Sequence, residues 1–327
     1  MWKRIFNEYK LLVFPEIFAG LFRRTNVLLS KFPAMAKHVV VDNDQDVHHL
    51  MRKGKVHLVF TEEEEERGRK ALKSFGIPEN TPFLCILARE DAYDKTAHPE
   101  FYQSNSSTHN CDIVNFMDAA AEMARRGYYV FRMGSVVQKP IPKLDNPMII
   151  DYPFTGKRSE FMDIYLWARC RFAISADSGP VSIPVFSKVP VVIVNKLPLA
   201  TMFWWDHNIL YIPKKLFIKR INRHTTFPEQ IFFEASWFEN GARTPFQYHV
   251  SGLEMEECTP GEIFDVAVEM DDRLKGVHIA NPEDEKLQAQ FWNLFPPSLD
   301  PVRFVDIRIG SKYLRDNRER LGSGFNK

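Results

Sequence analysis

The chain of 327 residues lacks the short motifs that announce common chemistries. It holds no G-x-G-x-x-G, no G-x-x-x-x-G-K-[ST], no G-x-S-x-G and no H-E-x-x-H. Hydride transfer on a standard dinucleotide fingerprint, ATP hydrolysis on a P-loop and standard serine-hydrolase chemistry lose support accordingly. Cysteine is scarce. Cys85, Cys111, Cys170 and Cys258 show no C-x-x-C spacing, which argues against a disulfide frame or zinc site and fits a reducing compartment. Neither sign of charge is in excess: 43 basic residues face 42 acidic ones. No whole-chain field therefore attracts nucleic acid or an anionic membrane. No secretory signal and no charge-free run of membrane-spanning length is present, because Lys3, Arg4, Glu8 and Lys10 interrupt the apolar N-terminal stretch and Pro15 breaks it. The expected location is the cytoplasm, with the inner face of the membrane left open.

What is present is an ordinary globular composition, 45% hydrophobic and 26% charged, and length enough for roughly two domains. Residues 1–30 predict one or two amphipathic helices, with Phe6, Phe14, Phe18 and Phe22 partly at helical spacing. Such a face packs against the body of the protein, or docks on a membrane or partner through aromatics mixed with Arg23 and Arg24. A short strand is expected at His57 to Phe60. Thr61 with Glu64 forms a capping box, and the run Glu62 to Glu66 suits a helix start rather than a metal site. Strands and helices then alternate. Strands are expected at Phe83–Ala88, Tyr128–Met133, Met148–Asp151, Phe172–Ser175, Val191–Val194 and Ile209–Ile212, with helices at Asp112–Arg126 and Ser159–Cys170 and a polar loop over 90–110. This pattern implies βαβ units and a mostly parallel sheet. Beyond 213 helices are expected at Pro228–Glu234, Pro260–Leu274, Asp284–Leu294 and Ser311–Leu321.

The stretch Arg171 to Asn195 organises this pattern. It reads strand, polar loop Ala176-Asp177-Ser178-Gly179, helix opened by Pro180, strand. Ser178 suits the helix cap, and Gly179 allows a ligand close to the backbone. A capped helix start suits a phosphate. Ligands of open parallel sheets sit beyond the carboxyl ends of the strands. Those ends deliver Arg89, Glu90 and Asp91 with Tyr93 near by; Arg132 and Gly134; Asp151 and Tyr152; Ser175, Asp177, Ser178 and Gly179; and Asn195. Two fates are open to Arg89 and Arg132: a fork on phosphate oxygens, or pairing with Asp91 or Asp151. Asp163, mid-helix, suits a hydrogen-bonder that fixes the site. The histidines are scattered, so no metal site is expected.

The runs Gly127-Tyr128-Tyr129-Val130-Phe131-Arg132-Met133-Gly134, Ile150-Asp151-Tyr152, Arg158 to Leu166 and Ile174 to Gly179 resemble a family of bacterial glycosyltransferases of surface-polysaccharide gene clusters. The resemblance runs from about 55 to 321. More distantly, Asp177-Ser178-Gly179 is similar to the nucleotide-binding turn of heptosyltransferases and other GT-B enzymes. The resemblance implies a Rossmann-like donor domain of GT-B type over 81–275, a short N-terminal acceptor-side region over 1–80, and C-terminal helices over 276–327 that pack back on it. It implies a nucleotide-sugar donor, a glycan or lipid-linked glycan acceptor, and no metal or other cofactor. Arg132, Ser178 and Gly179 would lie near the donor phosphates, and Asp151 and Tyr152 near base or ribose. Glu90 and Asp91 are the carboxylates available as catalytic base. Two departures stand out: Glu90 replaces an aspartate common after the first strand, and about 80 residues are too few for a full acceptor domain. A nucleotide-sugar-binding or scaffold domain that needs a partner chain is the alternative. A Rossmann enzyme using an adenine nucleotide is a third reading, and a homo-oligomer is compatible with each.

Overall fold

The structure is a computed structural model that describes residues 16–39, 56, 58–97, 108–199, 208–239, 248, 251–295 and 307–322. Two compact units divide the chain, Met1–Asp46 and Val47–Lys327. In the first, helix α1 (Glu16–Leu29) is followed by a 3₁₀ turn at Pro33–His38. Phe6 and Phe14 lie outside the described residues.

The second unit is an α/β layer structure. Helix α2 (Glu62–Ser74) begins at the expected capping box. Thr61 Oγ1 accepts from Glu64 N at 3.2 Å, and Glu64 Oε2 accepts from Thr61 N at 2.9 Å. Strand β1 (Phe83–Leu87) follows, then α3 (Ala92–Ala97), α4 (Met117–Arg125), β2 (Tyr129–Arg132), β3 (Ile149–Asp151), α5 (Glu160–Arg169), β4 (Ala173–Ala176) and α6 (Ser182–Phe186). Then come β5 (Val191–Lys196), β6 (Ile209–Pro213), β7 (Lys215–Ile218), β8 (Arg223–His224), α7 (Phe227–Glu239), β9 (Leu253–Glu256), α8 (Pro260–Leu274), α9 (Pro282–Trp292), β10 (Ile307–Ile309) and α10 (Ser311–Asp316). Seven strands form one parallel sheet in the order β10-β6-β5-β4-β1-β2-β3. This is the Rossmann-like winding. Strands β1, β4 and β5 are buried along their whole length, which is why they read as continuous apolar runs without alternation.

Several expectations need correction. Leu58 to Phe60 are not a strand, and His57 lies outside the described residues. Part of the expected polar loop is the helix α3, and residues 98–107 are not described. A second sheet, antiparallel in the order β8-β7-β9, appears where only helices were expected. Its strands are two to four residues long, too short for a legible alternation. It covers a small core of Leu197, Leu216, Tyr248 and Leu253. Residues 276–327, expected as helices alone, also supply the edge strand β10 beside β6.

Right-handed crossovers fix where the helices lie. The sheet grows from β1 to β3 in one direction and from β4 onward in the other, so α4 and α5 fall on opposite faces. Accordingly α4 packs with α8, while α5 packs with α2 and α6. The α2–α5 contact depends on Gly68. A Cβ there would lie 2.1 Å from Cζ of Tyr165, whose ring is stacked on Phe161 and whose hydroxyl donates to Glu65 at 3.1 Å. In an open helix Gly→Ala gains about 1 kcal/mol. Here Gly68→Ala is expected to cost about 1–3 kcal/mol through overpacking, read as a lower urea midpoint; an unchanged or raised midpoint would mean that the Tyr165 ring gives way.

Candidate functional site

The sheet reverses direction of growth between β1 and β4. The loops leaving these two strands diverge to opposite faces, and the crevice between them is where ligands of such folds bind. A cavity of about 460 Å³ opens at this place. Arg89, His109, Asp177, Ser178, Gly179, Val181, Ser182 and Val185 line it. Val181 and Val185 are its apolar wall; the other six bring the polar atoms.

Asp177 follows β4 directly. Its Oδ2 lies 2.5 Å from Nζ of Lys196 and 3.7 Å from Nδ1 of His109. Lys196 reaches it because β5 carries a bulge. Asn195 has φ of 56°, in the left-handed region, and the pairing with β6 slips between Val194 and Lys196. The extra residue turns the next side chain to the opposite face, so Lys196 points at Asp177. Asparagine tolerates this backbone better than most residues, and its Oδ1 accepts from Cys258 N at 2.7 Å.

His109 sits on a loop held from three sides. Cys111 N donates to Arg89 O at 3.0 Å, Lys214 Nζ donates to Asn110 O at 2.6 Å, and Asp112 N donates to Glu257 at 3.0 Å. Burial pushes the His109 pKa down to about 4. Asp177 opposes that shift, while Lys196, Arg89 and Lys214 reinforce it. The imidazole is therefore neutral at pH 7. Burial works against the Asp177 carboxylate as well, but Lys196, His109 and Arg89 outweigh it and hold its pKa below the usual value. Desolvation lowers Lys214, with Cys111, Glu257 and Cys258 acting the other way. Lys196 is paired with Asp177 and His109 is neutral, so among the lining residues Arg89 is the cationic side chain that an anion would meet.

The helix-start element is weaker than expected. Gly179–Val181 is a 3₁₀ turn and α6 has five residues, so little macrodipole accumulates. Ser178 makes no side-chain cap; its Oγ is buried without a hydrogen-bond partner among the described residues. Arg89 lines the cavity and pairs with Asp94 at 2.9 Å.

The remaining expected residues divide otherwise. Arg132 is fully buried, with its guanidinium 2.8 Å from Glu90 and 3.1 Å from Asp151. Those carboxylates also accept from the backbone, Glu90 from Gln138 N at 2.7 Å and Asp151 from Ile141 N at 2.9 Å. The group ties the segment after β2 to the ends of β1 and β3. Gly134, with φ of 146° and Val137 packed where a Cβ would be, lets that segment turn. Tyr152 is in the core, edge-on to Phe75 and Phe131, and its hydroxyl accepts from Ser159 N. Asp163 pairs with Arg158 at 2.5 Å. Ser175 is buried and bonds Ala176 O, and Asp91 accepts from Asn110. Tyr93 stands on α3, 46% exposed. Thus Arg89, Asp177, Ser178 and Gly179 are gathered at the cavity, while Arg132, Glu90 and Asp151 pair with one another and Tyr152 packs in the core.

His109, Lys196 and Lys214 escaped the strand-end argument. Lys196 follows Asn195 directly and would have been found had the bulge been legible. Among the described residues no group of three or more His, Cys, Asp or Glu is gathered as a metal would require.

Fold and crevice together define a Rossmann-like α/β unit with a pocket of mixed polarity at its switch point. No protein-family model matches the chain, and no curated protein matches its sequence. The chemistry of the site therefore carries the functional reading.

Two consequences are measurable. The unfolded chain, with its histidine near 6.5, binds more protons than the native state as pH falls from 6.5 toward about 4. Stability due to His109 is complete above that window and lost through it, by up to about 3 kcal/mol. His109→Gln should remove that part of the acid loss, read by comparing denaturation of the two proteins at pH about 7 and about 4.5. Arg132→Met leaves two carboxylates uncompensated and should cost about 3–5 kcal/mol; the triple change E90Q/R132M/D151N should recover part of it in the same denaturation assay.

Proposed function

We propose that the unit Val47–Lys327 is the donor-binding side of a glycosyltransferase of GT-B type, holding a nucleotide-sugar. The observation that carries this reading is the cavity at the β1/β4 switch point, with Arg89, Ser178 and Gly179 on its lining. Transfer of a sugar from a nucleoside diphosphate builds negative charge on the leaving group. Positioned cations and N–H groups in a crevice stabilise that charge. Arg89 takes the diphosphate, and the Ser178 hydroxyl with the Gly179 backbone meets one of its oxygens. Asp177, paired with Lys196 behind it, and neutral His109 complete the lining. The 460 Å³ volume lies within the range of small-ligand sites. The resemblance of residues 55–321 to surface-polysaccharide glycosyltransferases supports the choice of a sugar donor over other anions, and the acceptor is then a glycan or lipid-linked glycan.

One observation favours the second reading, a donor-binding domain that needs a partner chain for transfer. Both carboxylates offered as base are engaged, Glu90 by Arg132 and Gln138 and Asp91 by Asn110. An acceptor hydroxyl then finds its base on the facing side of the cleft.

Thermal shift with UDP-, GDP- and CMP-sugars, each alone, tests both readings. One class should stabilise the protein by about 2.7 kcal/mol at a hundredfold excess over Kd. Arg89→Ala should weaken that binding roughly ten- to hundredfold, the worth of a charge-assisted contact. Release of nucleoside diphosphate with a glycan acceptor present selects the transferase, and binding without release selects the partner-dependent domain. No shift with any sugar nucleotide, in a folded protein, overturns both; a shift with ATP or NAD alone identifies an adenine-nucleotide enzyme.

A further inference from the structure

Helix α1 carries a surface that the pocket does not explain. Leu21, Thr25 and Leu28 fall at i, i+4 and i+7, on one stripe of the helix. Phe22 lies beside that stripe, and Phe32 and Met35 follow just beyond it. The five apolar residues among these range from 43% exposed at Met35 to 60% at Leu21 and Phe22. The hydroxyl within the stripe is already satisfied: Thr25 Oγ1 donates to Leu21 O at 2.9 Å. Ser30 Oγ does the same to Val27 O at 2.8 Å. A hydroxyl bonded back to its own helix loses less on leaving water, which lowers the cost of taking this surface into an apolar medium.

Charge selects the medium. Between residues 16 and 39 the basic Arg23, Arg24, Lys31 and Lys37 stand against one carboxylate, Glu16. Arg24, Lys31 and Lys37 are exposed. The whole chain is balanced, with a formal net charge of +1, so this local excess is a property of the segment. A nucleic acid would meet the basic groups but gain nothing from the leucines and phenylalanines. An apolar protein groove would use the leucines but leave the cations without partners. An anionic lipid surface takes both, with the apolar side chains below the headgroups and the basic ones among them. Length decides between lying and crossing. The fourteen residues of α1 extend about 21 Å, short of the ~30 Å hydrocarbon layer, and among the described residues no helix is long and apolar enough to cross a membrane.

We infer that α1 and the turn after it form an in-plane anchor on anionic lipid, through the apolar face at Leu21, Phe22 and Leu28 and the cations Arg24, Lys31 and Lys37. None of these residues is among those that line the cavity, and the test uses no nucleotide. The full chain is floated with vesicles of phosphatidylcholine alone and of phosphatidylcholine mixed with phosphatidylglycerol, at low and high salt. Binding to the mixed vesicles is expected, at least roughly tenfold weaker on the neutral ones and weakened by salt. The variant L21S/L28S should lose roughly tenfold or more by loss of apolar insertion, and R24E/K31E should lose the preference for anionic lipid. Either variant remains informative if the other fails to fold. No flotation with mixed vesicles overturns the inference. So does binding that both variants leave unchanged. Self-association of the chain in sedimentation, abolished by L21S/L28S and unaccompanied by vesicle binding, identifies a second copy as the occupant and overturns it too.

Discussion

The reversal of winding between β1 and β4 is the constraint on which the functional geometry rests. Crossovers between parallel strands are right-handed. A sheet that grows first to one side and then to the other must therefore send its connections to opposite faces, and the backbone parts at the seam. No side chain needs to carve that opening. The sequence only has to furnish it, and it does so with Arg89 from one lip and Asp177, Ser178 and Gly179 from the other. His109 is brought in by a loop whose backbone is tied to Arg89 O and to Lys214.

On the side of β2 and β3 the same sheet edge is closed. Arg132, Glu90 and Asp151 form a buried charge group whose spare oxygens accept from Gln138 and Ile141. Buried ion groups of this kind add little net stability but are costly to break. Their effect is positional: they hold the segment after β2 across the strand ends and leave the seam at β1 and β4 as the accessible crevice. The two charged clusters at this edge thus do different work, one structural and internal, the other facing the cavity.

Much of this architecture was legible in the sequence. Apolar runs such as Val191 to Val194 betrayed buried parallel strands, and the box at Thr61 marked a helix start that the structure reproduces. Illegible features shared a cause, because they depend on contacts distant in the chain. β7 and β9 pair across more than thirty intervening residues, and β10 is three residues long. At the site, the strand-end rule located the edge but not the direction in which each side chain points. Arg132 looks like a phosphate ligand by position; the neighbouring carboxylates, which only the fold brings together, turn it inward. Lys196 lies past the strand end expected at Val194, and in the structure it belongs to β5, where the misaligned step sets its direction.

That step has a wider meaning. Along a strand, successive side chains alternate between faces, so a charge belongs to one side by parity alone. Asn195 breaks the parity with a single backbone angle, its φ of 56°. The neutralisation of Asp177 behind the pocket wall is consequently encoded in one left-handed residue as much as in the lysine itself. A residue with a branched Cβ at 195 would resist that angle and would return Lys196 to the other side of the sheet, changing the electrostatics of the crevice without altering a single charged residue in the sequence.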